Sequence, residues 1–167
     1  MAHSARRARR PKRVLVVCHA NQWRSPLAAA ALASCGGIEV RSAGFRRRGR
    51  SAARRARLAA ALLGYDLDAH KSSVVDGEVL AWAHLIVYMD SGNRRRLVDA
   101  MRLHKVARPY ACLGAWCHPP RRRIADPAFV RDLRAFIALM CAIDSAAKEL
   151  GRSVRVGRLV SSLWERL

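Results

Sequence analysis

The feature that most constrains this chain is the stretch Arg13-Val14-Leu15-Val16-Val17-Cys18-His19-Ala20-Asn21-Gln22-Trp23-Arg24-Ser25-Pro26. Four apolar residues in a row, Val14 to Val17, read as a strand buried on both faces. Pro26 beside the Ala/Leu run from Leu27 to Ala33 reads as the first turn of a helix. Between them lies a Cys-x5-Arg-Ser loop. Successive backbone N–H groups in such a loop, together with the helix N-terminus, converge on one place and favour negative charge there. A phosphate dianion meets that demand. Arg24 adds a planar fork able to hold two phosphate oxygens, and the same positive field favours Cys18 as a thiolate, its nucleophilic form. The bland alternative is a structural cysteine at a strand end with Arg24 as a solvated helix cap, and the rest of the chain weighs against it.

Beyond the loop, strand and helix signals alternate. Gly36-Gly37 ends the first helix, and Ile38 to Ser42 reads as a second strand closed by Ala43-Gly44. Ser51 is expected to cap an Ala/Leu/Arg helix that stops at Gly64. Asp68 to Ser73 is loop-like, a short helix follows around Val79 to Ala83, and His84 to Met89 is a third buried strand. A helix is expected after Asn93, a weaker strand from Val106 to Cys112 broken at Pro109, and a long amphipathic helix from Pro127 to Leu150. This alternation implies an α/β fold: a single-domain parallel sheet of about four strands with helices on both faces. Ligands of such sheets bind beyond the carboxyl ends of the strands, which is where Cys18 lies.

Charge bears on partners. The chain carries 32 basic against 12 acidic residues, a net +20 held almost wholly by arginine, so anionic partners fit; a GC-rich coding bias would also enrich Arg and Ala together. Five cysteines, an odd number without a regular framework, suit a reducing compartment, and the cytoplasm is expected. Cys112, Cys117 and His118 find no second ligand pair at zinc spacing, so no metal or cofactor is expected and these thiols read as loop or core residues. The basic opening is not followed by a signal-peptide core, and no apolar run is long enough to span a bilayer. Residues 1–12 are therefore expected to be a disordered basic tail, 13–150 the domain, and 151–167 a basic C-terminal extension.

Taken in order, the motifs from about Arg13 to about Leu150 resemble the low-molecular-weight protein tyrosine phosphatase family. That family opens with a strand into Cys-x5-Arg-Ser-Pro, here Cys18 to Pro26, and its second strand ends in Ser-Ala-Gly, here Ser42-Ala43-Gly44. A Gly-Tyr-Asp-Leu-like turn precedes a His, here Gly64 to Leu67 and His70. A strand ends in Met-Asp with an Asn soon after, here Met89-Asp90 and Asn93, and Asp-Pro precedes the last helix, here Asp126-Pro127. The resemblance implies a flavodoxin-like fold of the phosphotyrosine phosphatase I type and a metal-independent hydrolase acting on phosphotyrosine in proteins. It implies that Cys18 attacks phosphorus, while Arg24 and the backbone amides of His19, Ala20, Asn21, Gln22, Trp23 and Arg24 hold the phosphoryl oxygens. Asp126 is implied as general acid and then base, Ser25 as donor to the Cys18 sulfur, and Asn21, tied to Ser42 and His70, as a support that keeps the cradle rigid. Asp126 also reads as an ordinary helix cap.

Departures concern selectivity. Ala20 replaces the family's Gly, and Trp23 replaces its frequent second Cys, so no vicinal disulfide can form. Gln22 stands where tyrosine phosphatases tend to be aliphatic and arginine phosphatases carry Thr, which implies a polar pocket floor. Phe129 follows Asp-Pro one place later than the family's Tyr and is expected as an aromatic wall, with Phe45 and Arg46 at the substrate rim. Arg46 to Arg48 and Arg121 to Arg123 are expected to flank the pocket mouth, favouring acidic phosphoprotein substrates, with Arg94 to Arg96 farther off. Two other functions fit less well: an arsenate reductase of the same fold, which needs resolving cysteines, and a phosphatase-like protein that grips nucleic acid or another polyanion.

Overall fold

The computed structural model describes residues 12–156. The elements run β1 (Lys12–Cys18), α1 (Arg24–Ala33), β2 (Ile38–Gly44), α2 (Arg54–Leu62), α3 (Gly77–Trp82), β3 (Leu85–Tyr88), α4 (Ser91–Leu103), β4 (Tyr110–Cys112) and α5 (Leu133–Val156). Two 3₁₀ turns, Leu113–Trp116 and Pro127–Phe129, precede α5. The strands form one parallel sheet in the order β2-β1-β3-β4, with Cys18 beside Gly44 and Val16 beside Val87. Alternation along β1 sends its side chains to opposite faces. Val14, Val16 and Cys18 join Leu27, Leu32, Met140, Ile143 and Leu150 under α1 and α5, whereas Leu15 and Val17 join Leu80, Leu97 and Met101 under α3 and α4. Each such aliphatic side chain contributes about 1.5–3 kcal/mol on burial, so the central strand is fixed from both sides.

The strand order has a functional consequence. From β1 the chain first moves outward to β2 and then crosses to β3 on the other side, so the carboxyl ends of β1 and β3 flank a topological switch point. A crevice opens at such a point. Cys18 ends one of these strands and Asp90 follows the other.

Several boundaries differ from the sequence expectation. Lys12 belongs to β1 rather than to a tail; residues 1–11 and 157–167 lie outside the described residues, and with them most of both basic extensions. Ser51 does not cap α2, whose N-cap is Ala53 without a side-chain bond; the Ser51 hydroxyl accepts from Lys71 Nζ at 2.9 Å instead. α4 starts at Ser91, ahead of Asn93, because Asp90 accepts from the Asn93 N–H at 2.8 Å and caps it. β4 begins only at Tyr110, since Pro109 has no N–H to give the ladder, although its carbonyl accepts from Ile86. α5 starts six residues later than expected, at Leu133, and runs past Leu150 to Val156. Gly151 is no breaker there: a Cβ at this position would lie 2.5 Å from Cys35 Sγ, so the missing side chain lets α5 close on the end of α1, and Val154 is buried beyond it. No described helix is long and apolar enough to cross a membrane.

Candidate active site

The loop between β1 and α1 is shaped by one residue in the left-handed region, Asn21 at φ 54°. A short amide side chain tolerates that conformation because it can bond locally. Here it bonds to everything around it. Asn21 is fully buried; its Nδ2 donates to Ser25 Oγ and Ser42 Oγ, both at 2.9 Å, and its Oδ1 accepts from the Ser73 N–H at 2.8 Å. Its carbonyl meets His70 Nε2 at 2.8 Å. Gly44 packs beneath, where a Cβ would stand 2.8 Å from the Asn21 nitrogen and 2.9 Å from the Ala20 carbonyl carbon. The Ser-Ala-Gly strand end is thus a steric requirement of the loop. Among the described residues, the backbone N–H groups of Ala20 to Trp23 have no protein acceptor. Donors that converge without partners form an anion cradle.

Cys18 is buried at the strand end with its Sγ 2.9 Å from Ser25 Oγ. Arg24 opens α1 and is 2% exposed. Its Nη1 donates to Asp90 Oδ2 at 2.6 Å and to the Ile124 carbonyl at 2.9 Å, and its Nη2 donates to Asp126 Oδ2 at 3.1 Å. Its Nε is buried with no hydrogen-bond partner among the described residues. A buried unsatisfied donor of a charged group is costly, so the fork is built to receive an acceptor. Asp126 serves two neighbours at once. Oδ2 faces Arg24, while Oδ1 accepts from the Ala128 N–H at 3.1 Å and caps the turn Pro127–Phe129. Helix capping and a place beside Arg24 are therefore compatible.

A pocket of about 480 Å³ gathers these groups: Cys18, His19, Ala20, Gln22, Trp23, Arg24, Asp90, Gly92, Asn93, Arg96, Asp126, Ala128 and Phe129 line it. Phe129, 85% exposed, stands at the mouth, and Trp23 forms a second aromatic wall, edge-on to Phe136 of α5 at 6.0 Å between centroids. Gln22 lines the pocket, but its Nε2 donates to the Ser51 carbonyl at 2.9 Å, so its donor end is engaged elsewhere. His19 titrates below its ordinary value, first through partial burial and then through the Arg96 and Arg46 charges.

Three expectations about the rim need correction. Phe45 does not line the pocket; it packs against the α3/α4 side of the core, and its N–H donates to the His19 carbonyl at 2.8 Å. Arg121 to Arg123 do not line it either. Arg121 borders a separate hollow with Trp116, Cys117, His118 and Cys141, because the Gly114 carbonyl accepts from its N–H and holds that segment back. Arg96, expected farther off, lies in the pocket wall, six residues after the Asp90 cap. Arg46 does border the loop, in an adjoining hollow with Arg47 and Arg50.

Asp90 and Asn93 have places in this site that the sequence reading did not assign. The Asp-x-x-Asn spacing after a buried strand is a legible capping signal, but the second Asp90 oxygen reaches Arg24 across 66 positions of chain, which no local pattern reveals. Cys18 is the only cysteine lining the pocket; Cys117 borders the separate hollow with Arg121, and burial pushes its thiol up.

The family model of low molecular weight phosphotyrosine protein phosphatase matches residues 13–158. A protein-arginine-phosphatase of Geobacillus stearothermophilus is 38% identical over 92 residues, a stretch that covers 53% of this chain and 62% of that relative. The aligned part thus spans less than two thirds of the relative's length. Among solved structures, the arginine phosphatase YwlE from Geobacillus stearothermophilus superposes with a TM-score of 0.75 at 29% identity, covering 89% of this chain and 96% of that one. A low molecular weight phosphotyrosine phosphatase from Vibrio cholerae O395 gives 0.72 at 25% identity, covering 86% and 97%. The sequence match takes in nearly the whole described fold, from the apolar core of β1 to the end of α5, and the chain accordingly belongs to the low molecular weight phosphotyrosine protein phosphatase family.

Proposed function

We propose that this chain is a phosphomonoester hydrolase that uses Cys18 as nucleophile, Arg24 and the loop amides as phosphate ligands, and Asp126 as general acid and base, acting in the cytoplasm on phosphotyrosine in proteins. One observation carries the reading. A cysteine sulfur bonded to Ser25 Oγ shares a pocket with a buried arginine that has a spare N–H and with the aspartate that arginine holds, Asp126. Chemically, Cys18 Sγ forms the S–P bond as the ester P–O bond breaks, and Asp126 gives its proton to the leaving oxygen. Water then attacks phosphorus, Asp126 takes a proton from it, and the S–P electrons return to Cys18 as inorganic phosphate forms. Arg24 and the loop N–H groups balance the charge that develops on the equatorial oxygens. Asn21, Ser25, Ser42 and His70 hold the loop in shape.

Trp23 and Phe129 favour an aromatic leaving group between them, which supports phosphotyrosine. Phosphoarginine is the second reading, favoured by the 38% identity to a protein-arginine-phosphatase. The exposed arginines near the pocket attract acidic phosphoproteins and fit either reading. The solitary pocket cysteine favours hydrolysis over arsenate reduction, which needs a resolving thiol. All five cysteines are free, in keeping with a reducing compartment.

The test is hydrolysis of p-nitrophenyl phosphate by the purified protein, followed by phosphotyrosyl and phosphoarginyl peptides. Cys18→Ser and Arg24→Ala should abolish turnover. Activity that survives Cys18→Ser would sink the mechanism, and faster release from phosphoarginyl peptides would transfer the assignment to the second reading.

A further inference from the structure

Next to the catalytic pocket lies a second hollow, about 390 Å³, lined by His19, Ala20, Gln22, Arg46, Arg47 and Arg50. It shares His19, Ala20 and Gln22 with the catalytic pocket, so the two hollows meet along one loop. The arginines come from the connection between β2 and α2, and that connection is fastened in two directions. Toward the cradle, the Phe45 N–H donates to the His19 carbonyl at 2.8 Å, the Ala53 N–H donates to the Gln22 carbonyl at 2.9 Å, and Gln22 Nε2 donates to the Ser51 carbonyl at 2.9 Å. Behind it, Ser72 is 3% exposed; its hydroxyl accepts from the Arg50 N–H at 2.9 Å and donates to the Arg47 carbonyl at 2.7 Å. Ser72 also bonds the backbone of Gly49, at φ 77°, and of Arg50.

Arg48, between the three arginines in sequence, is paired with Asp76. Arg46, Arg47 and Arg50 have no side-chain partner among the described residues. Like charges gathered on a fixed backbone repel one another, and that repulsion is relieved by an anion placed between them. His19 lines both hollows, with Arg96 in the wall of one and Arg46 in the wall of the other, and both charges lower its pKa.

We propose that Arg46, Arg47 and Arg50 form a second anion subsite that receives a phosphate carried by the same peptide a few residues from the scissile phosphate, making doubly phosphorylated segments the preferred substrate class. The proposal rests on the phosphatase reading. Extended peptide advances about 3.3–3.6 Å per residue, so a chain lying across the His19–Gln22 ridge brings successive side chains to one hollow and then the other.

The test compares a phosphotyrosyl peptide with the same peptide bearing a phosphoserine at each of the three positions on either side. At low ionic strength kcat/KM should rise about three- to tenfold for at least one bisphosphorylated peptide, and the gain should shrink with salt. In the triple variant Arg46→Ser, Arg47→Ser, Arg50→Ser the ratio of bis- to monophosphorylated rates should fall to about one. The charge-matched variant Arg121→Ser, Arg122→Ser, Arg123→Ser should keep it. Loss of the ratio in both variants would mean a long-range field rather than a site and would overturn the proposal, as would equal rates for all peptides in the parent protein. Stimulation of monophosphorylated peptide turnover by free sulfate would reassign the hollow to a separate effector. Tighter binding of an oligonucleotide than of the bisphosphorylated peptide, lost in the same triple variant, would reassign it to nucleic acid. Calorimetric binding of both peptides to Cys18→Ser protein reads the subsite independently of turnover. If p-nitrophenyl phosphate is not hydrolysed the phosphatase reading fails, whereas if it is hydrolysed and the peptides bind equally only the subsite fails.

Discussion

Replacing Asn21 should separate the stability of the phosphate loop from its chemistry. The Asn21 side chain makes three hydrogen bonds in a fully buried position, to Ser25 Oγ, Ser42 Oγ and the Ser73 N–H. At about 0.5–1.5 kcal/mol net for each bond, Asn21→Ala loses about 1.5–4.5 kcal/mol. Alanine at φ 54° adds about 1 kcal/mol of backbone strain, giving a total of about 2.5–5.5 kcal/mol. For a domain of this size that lowers Tm by about 5–22 °C. Asn21→Gly removes the strain but not the lost bonds, so it should be less damaging than Ala by about 1 kcal/mol. Ser25 then loses the partner that orients its hydroxyl toward Cys18 Sγ, and kcat for p-nitrophenyl phosphate should fall in both variants by a similar factor while KM changes less. Chemical denaturation and steady-state rates supply the two readings. If both variants stay within about 1 kcal/mol of the parent with unchanged kcat, Asn21 does not hold the loop and the support argument is wrong.

Three further outcomes are expected. Asp126→Asn should slow aryl phosphate turnover by about 10²- to 10⁴-fold with phosphate binding nearly intact, and an unchanged rate would leave Asp126 as a turn cap only. Gly44→Ala should lower both stability and activity, because the added Cβ meets loop backbone at 2.8 Å that cannot move aside; ordinary activity would show that the loop is free to shift. The His19 titration gives a pH dependence: its folded value lies below 6.5, so the unfolded chain takes a proton that the folded one refuses, and stability present above pH 6.5 declines as pH falls through that value. Arg46→Ser or Arg96→Ser should raise the His19 pKa in an NMR titration, and no movement in either would remove these arginines from its surroundings.

Legibility in the sequence followed the range of the interactions involved. The cradle was readable because its determinants are contiguous: an apolar strand, a loop and a helix start within fourteen residues, from Arg13 to Pro26. Its supports were not readable from pattern. Nothing local in Ser42 or His70 says that they meet Asn21 across 21 and 49 positions; their assignment came through resemblance. The rim failed for the same reason in the opposite direction. Phe45 follows the Ser-Ala-Gly turn, which points to the pocket rim, yet it packs on the α3/α4 side of the core because apolar burial outweighs proximity in sequence. Arg121 to Arg123 precede Asp126 closely, but the bond between the Arg121 N–H and Gly114 directs the segment elsewhere. Arg96 reached the pocket through the start of α4, which the sequence placed too late because the Asp90 cap went unrecognised.

The division of labour among the arginines explains why so basic a chain places its central arginine among acids. Arg24 is almost wholly buried and is held by Asp90 and Asp126, so its charge is compensated within its own local group. Burying a guanidinium is costly unless carboxylates compensate it, and the compensation also fixes its plane. Long-range attraction of a dianion therefore cannot come from Arg24, whose field is cancelled at a distance. It falls to the exposed residues around the pocket: Arg96 in its wall, and Arg46, Arg47 and Arg50 beyond the loop. Fields of exposed charges are screened within about 8–10 Å at ordinary salt, whereas a buried ion pair is screened much less. Encounter and geometry thus rest on different arginines, and salt weakens the first while leaving the second in place.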